Sequence, residues 1–412
     1  MAHRTLLVPL FVLLCVLIPS ELSGQVTPVA GPFEVSPRSY TGSRETRTST
    51  TFPPAMAALS DGSFVVSWEQ DLEERFSGLS SLIYARQVRA DGRPGRLVLV
   101  DQGNEGLDRF PGSPELAGDG QGGFTLVWES LRFAGSDVLY QHVDPGRFVR
   151  PDAGILVRPA QDEEAAVSPA AGTNAAGDWV IAWEEWLDSE GARRHVSLRA
   201  FHASGEPSSP EIRIQPADPA VVLSGPRVAV LEDRFVVVWG ASGGSRPPVL
   251  QGRLFALDGT PLSPVFQVGR LQGVPWDVLT DEEGGFWVAW QSPSASAPLL
   301  RISHYSTDGL RLGSARLGTS SGLWRIHMNR RGEIAFVWTE PDGRVLLQVL
   351  DQLLVPKGGR QWVTRAAGTS FDVTISDAGR VLVVWISSLT VQPPNDEAPH
   401  HPLVGKLWQV EE

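Results

Sequence analysis

Seven times along this chain a turn residue or glycine is followed by a short β-branched and aromatic run that ends in tryptophan. The copies are Gly62-Ser-Phe-Val-Val-Ser-Trp68, Gly123-Phe-Thr-Leu-Val-Trp128, Asp178-Trp-Val-Ile-Ala-Trp183, Arg234-Phe-Val-Val-Val-Trp239, Gly285-Phe-Trp-Val-Ala-Trp290, Glu333-Ile-Ala-Phe-Val-Trp338 and Arg380-Val-Leu-Val-Val-Trp385. Successive tryptophans lie 60, 55, 56, 51, 48 and 47 residues apart. Units of this length, built from strands, cannot each bury a hydrophobic face alone. They must stack on their neighbours, and a radial array is the arrangement that lets them do so.

Each unit reads as four strands. The first precedes the signature, as in Pro114–Ala117, Arg227–Leu231 and Phe371–Ile375, and is followed by a turn carrying Asp or Asn near Gly, such as Asp61-Gly62 or Asn329 with Gly332. Those residue types tolerate left-handed backbone and join antiparallel strands tightly. The Val-rich signature is the second strand, and its near-continuous hydrophobicity implies burial on both faces. A third strand follows a loop of variable length, and a short outer strand ends most units. The last unit lacks an outer strand after Leu403–Val410, whereas Pro32-Phe-Glu-Val-Ser36 looks like an outer strand with no unit before it. The expectation is an all-β, seven-bladed β-propeller of four-stranded antiparallel blades. An N-terminal strand over 32–36 would complete the last blade and remove the exposed edge.

The first 24 residues read as a secretion signal: His3 and Arg4 ahead of an apolar run from Leu6 to Ile18, then small and polar residues up to Gly24. The run is too short for a stable membrane anchor. A single propeller domain is expected over 25–412, secreted or periplasmic. Cys15, within that leader, is the only cysteine, so the mature chain has no disulfide, thiol nucleophile or Cys-ligated metal. The net charge of −12, without basic stripes, argues against nucleic acid as a partner.

With its third strand, the first unit combines Gly62-Ser-Phe-Val-Val-Ser-Trp68 with Ile83-Tyr-Ala-Arg-Gln-Val-Arg-Ala-Asp-Gly92. This composite resembles tandem repeats of exported bacterial proteins and adhesin-like polypeptides. The resemblance extends over nearly all of the chain after residue 24. It implies a propeller-like fold and no catalytic residues.

Chemistry is expected where the second-to-third-strand loops gather around the channel mouth. A carboxylate or amide follows the tryptophan in four copies, Glu69, Glu129, Glu184 and Gln291. Together these could form a ring of acceptors for sugar hydroxyls, a cationic peptide or calcium; no other cofactor is expected. Phe133 and Trp186 would add apolar faces for stacking. The blander account is that a strand emerging into water needs a polar residue at that point. No Gly-x-Ser-x-Gly elbow, phosphate loop, His-Glu-x-x-His or dinucleotide fingerprint is present. Without a visible set of nucleophile, base and oxyanion donors, the expectation is an exported, non-catalytic module binding a carbohydrate or protein at the cell envelope. One alternative is a carbohydrate-active hydrolase or lyase using rim glutamates, for which two suitably spaced carboxyls suffice. A second is a structural surface protein.

Overall fold

A computed structural model describes residues 25–36, 45–48, 53–74, 78–103, 110–132, 135–149, 154–158, 164–188, 193–273, 275–281, 283–295, 297–319, 322–365, 370–387 and 402–411. Among these residues every regular element is a β-strand, and the fold is a β-propeller. No helix among them is long and apolar enough to cross a membrane. Residues 1–24, expected to be a leader, lie outside the described residues.

The inner strands are Ala55–Ala58, Phe110–Gly118, Ala165–Thr173, Val221–Val230, Trp276–Thr280, Trp324–Met328 and Phe371–Ile375. Each pairs antiparallel with the signature strand of its own repeat, which pairs in turn with the third strand. The signature strands are buried almost throughout: Val65, Val66, Leu126, Val127, Val237, Val238, Val383 and Val384 are all inaccessible to solvent. Successive residues of one such strand enter different hydrophobic clusters. Val65 packs with Phe124 and Trp128 of the second repeat, whereas Val66 packs with Leu382 and Val384 of the seventh. The same division recurs around the array, so the core is a set of wedges between consecutive repeats, with one between the last repeat and the first. This is why the strands lack clean alternation.

The expected seven separate four-stranded blades require correction. Hydrogen bonding resolves five discrete blades, made by the first, fourth, fifth, sixth and seventh repeats. The second and third repeats instead share one eight-stranded sheet. The physical reason lies in the short outer strand of the second repeat, Ile155–Arg158, which pairs only as far as Val138 of the third strand Gly135–Val143. The start of that third strand therefore keeps an open edge. Ala165, the first residue of the next inner strand, takes it by pairing in parallel with Ser136. The first blade also departs from four strands, because Glu45–Thr48 pairs with Gln70–Glu73 beyond the reach of Ala55–Ala58.

The N-terminal strand is Val26–Glu34, longer and earlier than 32–36, and it pairs antiparallel with Leu403–Val410 with irregularities near Ala30 and Phe33. Residues from the two ends of the chain thus share one sheet, and the edge of Leu403–Val410 is covered.

Candidate functional site

The inner strands surround a central cavity of about 1100 Å³. One register position on them carries most of its charge. The residues paired with the position just before each signature tryptophan are Ala55, Glu115, Ala170, Arg227, Asp277, Arg325 and Asp372. Strand register therefore sets three carboxylates and two guanidinium groups at one level of the channel. In chain order around the array, Arg325 lies between Asp277 and Asp372, and the alanines flank Glu115. Arg227 Nη2 lies 3.7 Å from Glu115 Oε1, and Arg325 Nε lies 4.0 Å from Asp372 Oδ1.

The channel walls desolvate this ring, which disfavours charge on the carboxyls. Burial raises Asp372 to about 8 despite the opposing pull of Arg325, with Glu115 and Asp277 adding repulsion. Burial likewise raises Asp277 to about 6, against the attraction of Arg227. The Asp372 side chain nonetheless keeps 21% of its surface accessible, so water and a ligand can meet it. His327, two residues beyond Arg325, is lowered to about 4 by burial and is neutral, its Nδ1 accepting from Ile375 N at 3.3 Å. At neutral pH the ring thus offers a proton-bearing carboxyl in Asp372 and an ionised one in Asp277, beside two guanidinium groups. That is the equipment of general acid–base chemistry.

The residues expected to line the mouth lie slightly nearer the rim than the ring, and most hold the inner strands. Glu69 Oε2 accepts from Ser113 N at 3.2 Å. Glu129 Oε1 accepts from Ser168 N, and Glu184 Oε2 accepts from Gly225 N at 3.1 Å. In each case a glutamate of one repeat reaches the inner strand of the next. The three N–H donors share an unusual conformation, with φ of 51°, 51° and 55°. Each marks a bulge two residues before the ring position: Ser113 before Glu115, Ser168 before Ala170, Gly225 before Arg227. A bulge re-aims the side chains that follow it, and a buried glutamate holds each one in place. At Gly225 a Cβ would lie 2.8 Å from the Trp276 ring, whose Nε1 donates to Gly225 O at 2.9 Å. Glycine is therefore required there for space as well as for φ.

Glu129 is buried deeply enough to be raised to about 7, with repulsion from Glu184 contributing after burial. Trp186 is half-buried; its Nε1 donates to Glu184 Oε1 at 2.6 Å, and the Arg194 guanidinium lies 4.5 Å from its ring centre. Gln291 is buried, and its backbone oxygen accepts from Gln272 N at 2.9 Å. Phe133 lies outside the described residues. Among the described residues, no group of three or more His, Asp or Glu side chains is placed to hold a metal ion.

Motif reading passed over the ring because its members sit in strands that look merely structural. A signal was nevertheless present: the ring residue lies 13 positions before the signature tryptophan in six repeats and 12 in the fourth. Aligned in that phase, charge appears in five inner strands at a position where a core strand should be apolar.

No protein-family model matches the chain, and neither does any curated protein. Among solved structures, the chain is similar to the GH93 α-L-arabinofuranosidase of Fusarium graminearum, with 11% identity over 92% of this chain and 97% of that one and a TM-score of 0.47. It is also similar to a protein of unknown function from Dyadobacter fermentans, with 12% identity over 89% and 98% of the two chains and a TM-score of 0.44. A Hadza microbial sialidase gives 12% identity over 89% and 66%, with a TM-score of 0.41.

The expectation of a non-catalytic binding module is corrected on the geometry of the channel. It rested on the lack of a visible set of nucleophile, base and oxyanion donors, whereas the channel gathers three carboxyls and two guanidinium groups at one level.

Proposed function

We propose that this chain is a carbohydrate-active hydrolase whose reaction is carried by the channel ring. One observation carries the reading: register places two carboxyls at one level of a ligand-sized cavity, with their acidities pushed apart to about 6 and about 8. Cleaving an acetal needs a proton donor for the leaving oxygen and a second carboxyl to activate water or to meet the developing positive charge. It needs neither an activated serine nor an oxyanion hole, which suits this ring. Asp372, protonated at neutral pH, is the proton donor. Asp277, ionised at the same pH, is its partner. Arg227 and Arg325 orient hydroxyl or carboxylate groups of the substrate and keep the remaining charge on the carboxyls local. The alanines at 55 and 170 leave room at the ring for a sugar.

Within this reading the rim glutamates Glu69, Glu129 and Glu184 are positioning residues, acting through the bulges they hold. The leader over 1–24, a propeller domain from residue 25 and the likeness to exported repeats support a secreted or periplasmic enzyme working on cell-envelope or environmental glycans. The proposed reaction uses these side chains without a cofactor.

The test is hydrolysis across a panel of aryl glycosides and polysaccharides, read by released phenol and new reducing ends. Wild-type protein should cleave at least one member. Asp372→Asn and Asp277→Asn should each lower kcat by about 10²–10⁴-fold. If no member is cleaved between acid and mildly basic pH, or if both variants keep full activity, the proposal fails.

A further inference from the structure

A second cavity, of about 530 Å³, lies outside the channel, between the third and fourth repeats. Trp239 forms part of its lining. This side chain is only 1% exposed, and its indole N–H has no hydrogen-bond partner. An unpaired buried donor is costly and calls for an acceptor.

In the second repeat a side chain fills that role, whereas the equivalent Trp68 and Trp183 lack a partner as Trp239 does. Trp128, the tryptophan equivalent to Trp239, donates from Nε1 to Asp101 Oδ2 at 2.8 Å, and Asp101 ends the outer strand of the preceding repeat. Asp101 pairs with Ile83, which pairs with Glu69; Ile214 pairs with Val196, which pairs with Glu184. Ile214 therefore occupies the Asp101 position ahead of Trp239 and offers no acceptor. Ile214 also lines the second cavity, beside Trp239.

The rest of the wall states what kind of acceptor suits it. Arg246 and Arg270 line the cavity, both exposed, and neither has an ion-pair partner among the described residues. Asp218 is the one carboxylate in the lining, and its Oδ1 already accepts from Ala220 N at 2.9 Å. Gln251 and Gln267 can donate to or accept from hydroxyls. On a chain of net charge −12, a cavity with two unpaired guanidinium groups is a local reversal of sign. Guanidinium forks match carboxylates geometrically, whereas the glutamines and indole suit hydroxyl and ring oxygens.

We propose that this cavity is an accessory site for an anionic saccharide. A uronate carboxylate meets Arg246 and Arg270, and a hydroxyl or ring oxygen of the same ligand takes the Trp239 N–H. The site is separate from the channel and stands whether or not the channel hydrolyses glycosides.

The experiment is calorimetric titration of the full chain with tri-galacturonate and, in parallel, with neutral galactotriose. Wild-type protein should bind the acidic trimer and bind the neutral one more weakly. Trp239→Phe keeps the buried ring but removes the N–H, and should weaken binding about tenfold. The exposed pair Arg246→Ala/Arg270→Ala should weaken it about a hundredfold without changing thermal stability. Absence of binding at millimolar trimer, equal affinity for the two trimers, or unchanged affinity in the arginine double variant would each overturn the proposal.

Discussion

Asp372 is a carboxyl placed where ionisation is disfavoured, and that has a measurable thermodynamic sign. Its pKa is raised from an ordinary value of 3.8 to about 8 on folding, chiefly by burial. A raised carboxyl contributes stability that is fully present below the unfolded pKa and is lost as pH rises through the folded one. Stability should therefore fall between about pH 4 and pH 8, with Asp277 adding the same sign up to about 6. Asp372→Asn should flatten much of that slope and leave the variant more stable than wild type at pH 9. Denaturant unfolding across the pH range checks this; parallel slopes for the two proteins would contradict the assignment. The same two carboxyls should shape the rate, with kcat/KM falling below about pH 6 and above about pH 8.

The informative elements are the three bulged inner strands and the glutamates that hold them. The backbone N–H of Ser168 is satisfied by Glu129 of the preceding repeat, so removing the acceptor orphans a partly buried donor at a strained position. Glu129→Ala should cost about 1–3 kcal/mol and lower turnover through displacement of the inner strand. Glu129→Gln keeps an acceptor and loses the repulsion from Glu184, so it should stay close to wild type at low pH and surpass it above about pH 7. Urea unfolding of both variants separates the two; equal losses in stability would show that shape, and not the hydrogen bond, matters there. These glutamates were visible in the sequence as polar residues after tryptophan. Their partners were not, because Ser113, Ser168 and Gly225 belong to other repeats and become neighbours only across a blade interface.

Across the whole molecule, the strand Val26–Glu34 and the strand Leu403–Val410 bring the first and last described residues into one sheet. Trp408 and Val26 also share a hydrophobic cluster with residues of the sixth repeat. Deleting residues 25–34 should expose the edge of Leu403–Val410, lower the thermal midpoint by more than about 5 °C and promote association. Calorimetry with light scattering reads both; an unchanged midpoint and a monodisperse sample would show that this strand is dispensable. Because each wedge of core is shared by two repeats, the loss should appear in a single transition and not as melting of one blade.

The sequence alone determined the strand class, the repeat phase and the burial of the tryptophans, because those depend on periodicity within one unit. Where each hairpin turns was equally legible, as at Asp61-Gly62, whose Asp61 Oδ1 accepts from Ser63 N at 2.8 Å and whose Gly62 has a φ of 76°. Only the tertiary structure decided how repeats join. The fusion of the second and third into one sheet hangs on a short outer strand and the single pair Ala165 with Ser136, an edge event that local patterning does not encode. It also decided the site. Glu115, Arg227, Asp277, Arg325 and Asp372 are scattered over more than half the chain, and each is unremarkable within its own strand. Closing the array places them at one level of a confined channel, where low accessibility and neighbouring charge raise Asp277 and Asp372. That shift is a property of the assembled ring and of no repeat by itself.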